Sequence, residues 1–264
     1  SNWKGANDRV NVGHIGIGSR GWAETKDYFL PLDETRSIAV CDVRKNRIDR
    51  AAEIINDYYK DEKGEKGFEC GAYEHFEELL ERKDIDAVVI VAPDHWHALM
   101  AVDAAKAGKD IYCEKPMALT VEEGRAMVQA TRKYHRVFQT GNMQRSWRNF
   151  RHACEMVSNG YIGEIKEVNV NVGDPVKACE LPAQEVPGHL NWDLWVGPSM
   201  YRGYHEELAP PMEYRGWPNW RAYRDFGGGR VTDWGAHMFD IGQWGLGMDE
   251  SGPMVFIPPP QRAN

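Results

Sequence analysis

No apolar run in the 264-residue chain approaches the roughly 20 residues that a membrane-spanning helix needs, so no helical span is expected within it. A basic surplus is also missing. The 32 Lys and Arg residues face 40 Asp and Glu, a net charge of −8, which argues against a general nucleic-acid binder. Cysteine is sparse. Cys41, Cys70, Cys113, Cys154 and Cys179 are odd in number, scattered and free of any C-x-x-C pair. That excludes a dense disulfide scaffold and a cysteine-rich zinc site, and leaves the compartment open. No H-E-x-x-H occurs, and His95 and His97 are two apart at a predicted helix start, so they point apart. A zinc site joining them to His237 is therefore weakly supported, and no metal is expected. There is no internal repeat, low-complexity segment or apolar leader. Ser1 and Asn2 read as a cloning remnant, which keeps a removed leader open.

What is present suits one large or two modest domains. Apolar residues make up 42%, enough for a real core. Ten tryptophans are many for this length, and five of them, Trp192, Trp195, Trp217, Trp220 and Trp234, share one stretch of the second half. Such aromatic loops line sugar or ring-shaped ligand pockets, or simply pack.

The first half alternates in period. Strands are predicted at Val10–Ile17, Ser37–Asp42, Asp86–Pro93, Asp110–Cys113 and Val137–Gly141. Helices are predicted near 22–30, at 45–59 and 74–82, over 95–107 before Gly108, and from the Thr120-x-x-Glu123 capping box to about His135. Strands alternating with helices mean βαβ units and a doubly wound parallel sheet, an α/β fold. From about Ser146 the pattern changes. A helix is expected over 147–159, a half-wet strand over 165–172, a long Pro-, Gly- and aromatic-rich loop over 173–220, and a helix over 235–246. The expected division is a dinucleotide-binding domain over 1–145 and a second α/β domain over 146–264.

The first strand ends in Gly16-Ile17-Gly18-Ser19-Arg20-Gly21. Between a strand and a helix this spacing makes a dinucleotide-phosphate cradle. Gly16 permits the tight turn, Gly18 the close approach of a pyrophosphate, and Gly21 helix-on-strand packing. The helix start adds unpaired N–H groups and the positive end of its dipole. Asp42 ends the second strand, about twenty residues further on, where an acidic side chain accepts from ribose hydroxyls. The alternative is an aspartate that caps the next helix. A carboxylate there favours NAD over NADP, a preference softened by Arg44 and Lys45 nearby.

Ligands of an open parallel sheet sit beyond the carboxyl ends of its strands. The loops there carry Asp94-His95-Trp96-His97, Glu114-Lys115-Pro116 and Gly141-Asn142. Lys115 ends a buried strand and precedes a proline, which suits it to proton transfer or to holding a substrate hydroxyl. A salt bridge to Glu114 or another acid explains it equally well. Further on, Asp233 and His237 are four apart, which on one helix places both on one face as an acid/base pair. A helix cap and a core histidine are the structural alternatives.

Together and in order, Gly16-Ile-Gly18-Ser-Arg-Gly21, Asp42, Pro93-Asp-His-Trp-His97, Glu114-Lys115-Pro116 and Asp233-x-x-x-His237 resemble the Gfo/Idh/MocA oxidoreductases. The stretches Trp192–Pro198 and Trp220–Gly229 are similar to a bacterial subgroup often made with an export leader. That resemblance implies periplasmic export, with the cytoplasm as the other compartment. It implies a Rossmann domain and a C-terminal α/β substrate domain with an open sheet. It implies NAD bound by Gly16, Gly18, Ser19, Arg20, Gly21, Asp42, Asp94, Trp96, His97, Glu114, Lys115, Asn142, Trp220 and Arg221. Lys115 and His237 would be catalytic, with Asp233 orienting. Substrate would meet Lys115, Arg148, Trp192, Asp233 and His237.

The implied reaction is hydride transfer to or from a hydroxyl of a sugar, glycoside or cyclic polyol, in a homo-oligomer. Some relatives are instead NAD-dependent glycosidases, and a non-catalytic cofactor-binding sensor is a further alternative. Family members usually continue well past Phe256, so the second sheet is expected to be incomplete here, with an apolar face left open.

Overall fold

The computed structural model describes residues 9–252 and 254–257. Ser1, Asn2 and the closing run Pro258–Pro260 lie outside the described residues. The chain divides into two compact units, residues 1–141 with 174–233, and residues 142–173 with 234–264. The division does not follow the single boundary near 145 expected from the order of elements. The Pro- and aromatic-rich segment after 173 packs with the first unit instead.

The first unit holds six strands: β1 (Val10–Ile15), β2 (Thr35–Cys41), β3 (Gly71–Tyr73), β4 (Ala87–Ile90), β5 (Asp110–Cys113) and β6 (Phe138–Thr140). They form one sheet in the order β3-β2-β1-β4-β5-β6, every pairing parallel. The strand order reverses between β1 and β4, which leaves a crevice at their carboxyl ends. The connecting helices are α1 (Ser19–Glu24), α2 (Lys45–Asp61), α3 (Phe76–Glu81), α4 (Asp94–Lys106) and α5 (Val121–Lys133). One apolar cluster joins Ile15, Val88 and Ile111 to α3, α4 and α5 through Leu79, Ala101 and Met127. Another joins Val40 to α2 through Ile48, Ala51 and Ile55. The i, i+3, i+4, i+7 spacing of the α2 residues is why that helix was readable.

Local chemistry sets the helix ends. Thr120 accepts the Glu123 amide while Glu123 accepts the Thr120 amide, so the expected capping box is formed. α1 starts three residues earlier than the spacing suggested and runs into a single wide turn over Thr25–Phe29. There the Thr25 hydroxyl donates to the Gly21 carbonyl at 2.8 Å and bonds His14 Nδ1 at 3.1 Å. Such wide turns arise where a side chain enters the helical ladder. β3 was not expected, being only three residues without an apolar run.

Residues 174–233 carry α7 (Trp192–Val196) and α8 (Gly229–Asp233). Their core is aromatic. Trp192 stacks on Trp195 at 4.7 Å between ring centres, and Phe226 and Tyr204 meet them edge-on.

The second unit packs α6 (Arg148–Ser158) with α9 (Gly235–Gly245). Arg145 binds Asp240 with two N–H groups, at 2.8 and 2.9 Å, and also reaches Asp249. The strand expected over 165–172 is not formed, and no second sheet occurs among the described residues. Alternation alone makes no strand without a ladder partner. The apolar side chains of that segment, Val168 and Val170, instead approach Gly242 of α9. No helix of the described residues is long and apolar enough to cross a membrane.

Candidate active site

The β1–α1 loop is shaped by three glycines with different reasons. Gly16 has φ +90°, a left-handed conformation, and a Cβ there would collide with the Val91 carbonyl. A Cβ on Gly21 would collide with the Gly16 carbonyl. Gly18 differs. The nearest atom to a Cβ there is Arg47 Nη1 at 3.6 Å, an ordinary contact. The fold needs Gly16 and Gly21 for its own packing. Gly18 leaves half-buried backbone beside the start of α1, without a side chain to keep a ligand away.

Asp42 pins this loop. Its Oδ2 accepts the Ile17 amide at 2.8 Å and its Oδ1 accepts the Arg44 amide at 2.9 Å. The capping alternative is not realised, since the N-cap of α2 is Arg44 and no side chain caps that helix. Asp42 organises the backbone around it, and each oxygen keeps a second lone pair able to accept another donor. The softening role expected of Arg44 and Lys45 is not supported. Arg44 is fully buried and turned inward, binding His189 Nε2 at 2.9 Å and donating to the Ala209 carbonyl at 2.5 Å. Lys45 pairs with Asp49 on the surface.

Arg20 also points inward rather than at a phosphate. It pairs with Glu24 at 2.6 Å and with Glu114 at 3.0 Å. Burial pushes the Glu24 carboxyl up to about 8, and neighbouring Glu114 adds to this. Glu114 further accepts the Lys115 amide at 3.0 Å, which fixes the backbone from which Lys115 projects. Ser19 is exposed at the first position of α1.

Lys115 is the centre of the arrangement. Its ammonium donates to Asp233 Oδ1 at 2.6 Å and to the Asp233 carbonyl at 2.9 Å. Sequence position alone left two readings of Lys115, a functional amine or one arm of a salt bridge. The salt-bridge partner is itself one of the expected site residues. Asp233 also faces Arg230 at 3.4 Å and Arg221 at 3.5 Å. The Arg221 guanidinium lies 4.2 Å over the Trp220 ring. Asp94 is buried at the start of α4. Burial pushes its carboxyl up to about 8, opposed by Arg221 and Lys115 and reinforced by Asp233. Arg230 was missed in the sequence, because its only signal is its place after a glycine triplet.

His97 bonds the Pro116 carbonyl through Nδ1 at 2.8 Å, and burial lowers its pKa, so the ring is neutral. Its Nε2 is buried without a partner among the described residues. A neutral ring donating from Nδ1 presents Nε2 as an acceptor, a fit for a donor group of a bound nucleotide. Two other expected contacts belong to the core. Trp96 gives its indole N–H to the Trp195 carbonyl and meets Phe76 edge-on. Trp192 is 4% exposed, stacked on Trp195, and donates to the Arg202 carbonyl. Neither ring is offered to a ligand, because aromatic burial won over lining.

Three expected residues lie in the second unit. Asn142 lies two residues past the end of β6, Arg148 is exposed at the start of α6, and His237 is buried in α9, edge-on to Trp234 at 6.1 Å. The single helix expected to carry Asp233 and His237 is broken. α8 ends at Asp233, and α9 restarts at Gly235, with the Trp234 carbonyl accepting from His237 and Met238.

Comparison with known proteins decides the family. Residues 10–142 match the model of the GFO_IDH_MocA oxidoreductase family, NAD-binding Rossmann fold, and residues 172–263 match its C-terminal alpha/beta domain. The chain belongs to this oxidoreductase family. Curated relatives include a glycosyl hydrolase family 109 protein of a Shewanella species, 41% identical over 114 residues. Another is an alpha-N-acetylgalactosaminidase of Shewanella oneidensis, 40% identical over 114 residues, 43% of this chain and 24% of the relative. The match thus spans about a quarter of those relatives. Similar solved structures include scyllo-inositol dehydrogenase of Lactobacillus casei with NAD(H) and scyllo-inositol. It has TM-score 0.52 and 27% identity, and the match covers 59% of this chain and 43% of that one. KijD10, a 3-ketoreductase of Actinomadura kijaniata in complex with NADP and TDP-benzene, gives TM-score 0.51 and 25% identity, over 59% and 44% of the two chains.

Proposed function

We propose that the chain carries out NAD-dependent hydride transfer at a hydroxyl-bearing carbon of a sugar, glycoside or cyclic polyol. The observation that supports it most is the Lys115–Asp233 pair at the carboxyl end of β5, in the unit whose β1–α1 loop is the nucleotide cradle. The named solved relatives act on an inositol and a keto group, which fits a carbinol–carbonyl exchange.

Bound NAD supplies the hydride acceptor or donor. Lys115 has three N–H donors, of which Asp233 takes two, and the third holds the substrate oxygen. Its positive charge stabilises negative charge on that oxygen as the O–H proton leaves. Asp233 fixes the direction of the ammonium. His237 takes or returns the hydroxyl proton, an assignment that rests on the family resemblance. Asp42 selects NAD over NADP, since a carboxylate repels a 2′-phosphate. A homo-oligomer belongs to the same proposal, to be read by sedimentation.

The test is incubation of the full chain with NAD and a panel of inositols, hexoses and methyl glycosides, following the absorbance of reduced nicotinamide. Turnover that disappears in Lys115→Ala supports the reading. Absence of turnover and of NAD binding together overturns it.

A second reading follows from the names of the curated relatives, which are glycosidases. Oxidation of a sugar hydroxyl acidifies the neighbouring C–H, the aglycone is eliminated, water adds, and the hydride returns. Release of a chromogenic aglycone without accumulating reduced nicotinamide selects this reading over net oxidation.

A further inference from the structure

Beside the Lys115–Asp233 pair lies a second feature that hydride transfer does not explain. A cleft of about 270 Å³ opens in the 174–233 segment, lined by Lys177, Trp217, Asn219, Arg221 and Arg230, with Asp174 its one acidic member. The Asp233 carboxylate on its border is shared by three cations, Lys115, Arg221 and Arg230. The charged lining of the cleft is three cations, Lys177, Arg221 and Arg230, and one carboxylate, Asp174; Asp94 and Glu114 also neighbour Arg221, and Glu207 neighbours Lys177. Glu207 does not line the cleft, and its carboxylate is taken by the Asn219 amide and the Tyr223 hydroxyl. Among the lining residues themselves three cations face one carboxylate, in a chain whose net charge is −8. A cationic surplus in the lining of a concave site is a recognition element for an anion.

The cleft also has an aromatic wall. Trp217 is 63% exposed, and its ring carries the Arg221 guanidinium at 5.3 Å from the centroid. An exposed indole beside fixed cations matches a sugar ring bearing a charged substituent, whose C–H face packs on the aromatic plane. Lys177 lies over the Tyr223 ring at 4.8 Å, with its backbone bonded to Ala222 and Arg224, so its stem is held at the cleft wall.

We propose that this cleft is a subsite for an anionic group on the carbohydrate substrate, a carboxylate, sulfate or phosphate, with Trp217 as the platform for its ring. The inference rests on the carbohydrate reading above and narrows it to charged sugars.

The test is calorimetric titration of the NAD-saturated full chain with D-glucose, D-glucuronate, D-glucose 6-sulfate and D-glucose 6-phosphate. At least one anionic sugar binds about tenfold or more tighter than glucose, and rising salt erodes the difference. Which anion wins identifies the source of the charge. Lys177→Gln brings the ratio toward one, and Trp217→Ala weakens all four sugars. Equal binding of charged and neutral sugars, or an unchanged ratio in Lys177→Gln, overturns the proposal. So does anion binding that NAD abolishes, which assigns the cations to the cofactor's phosphates. If NAD fails to bind while the discrimination persists without it, the redox reading fails and the subsite stands.

Discussion

The Lys115 ammonium is held by Asp233 through two bonds, one to the side-chain carboxylate and one to the backbone carbonyl, across 118 positions of sequence. If this amine holds the reacting oxygen, removing either partner damages chemistry more than cofactor binding. Asp233→Asn and Lys115→Ala are each expected to lower kcat by about 100-fold or more while NAD affinity changes little. Lys115→Arg does not restore activity, since a planar fork cannot replace a compact ammonium at one oxygen. Steady-state kinetics with parallel NAD titrations reads the split.

The glycines of the β1–α1 loop separate packing from ligand approach. Gly21→Ala places a Cβ against the Gly16 carbonyl, and Gly16 is held at positive φ. Either change to Ala is expected to cost about 2 to 4 kcal/mol of stability. Gly18→Ala meets only Arg47 at 3.6 Å, so its melting temperature stays near that of the parent while NAD affinity falls. Thermal unfolding with and without NAD measures both effects.

Three buried histidines predict acid sensitivity. Burial lowers His14 to about 3 and His95 to about 4, and lowers His97 as well. Below their ordinary value near 6.5 the unfolded chain takes up protons that the folded chain refuses. Stability therefore rises with pH across this window and is lost as pH falls from about 6.5 toward 3. Each histidine contributes up to about 1.4 kcal/mol per pH unit. Denaturant unfolding at pH 7 and pH 5 checks this, and His14→Gln is expected to flatten the slope.

Arg44 predicts a stability effect without a cofactor effect. Arg44→Ala leaves the Ala209 carbonyl and His189 without their donor, at a cost of about 2 to 4 kcal/mol. Proteolysis near residues 187–210 should accelerate. The preference between NAD and NADP should not move, because the guanidinium is turned away from Asp42. A loss of that preference would place Arg44 at the ribose instead.

The Rossmann half was legible because its signals are local. Short apolar runs, the Gly16–Gly21 spacing, the Thr120–Glu123 box and Gly108 each act within a few residues. β3 escaped because three residues carry no period. The half-wet strand over 165–172 was misread because strand formation depends on a partner that local sequence does not specify. Site residues divided along the same line. Lys115 was marked by its place at a strand end and Asp233 by its spacing to His237, and the structure joins Lys115 to Asp233 while breaking the helix expected to join Asp233 to His237. Trp96 and Trp192 were expected to line ligands, yet an aromatic side chain reads the same in a pocket and in a core. Arg44 looked like a cofactor cation, and only the long-range partners Ala209 and His189 reveal it as a brace.

The central claim is that the β1–α1 loop holds NAD beside Lys115. Calorimetric titration of NAD into the parent chain and into Gly18→Val tests it most directly. One NAD per parent chain, with binding lost in a Gly18→Val protein that still unfolds cooperatively, is the predicted result. No binding to the parent chain, or equal binding to both, would contradict it.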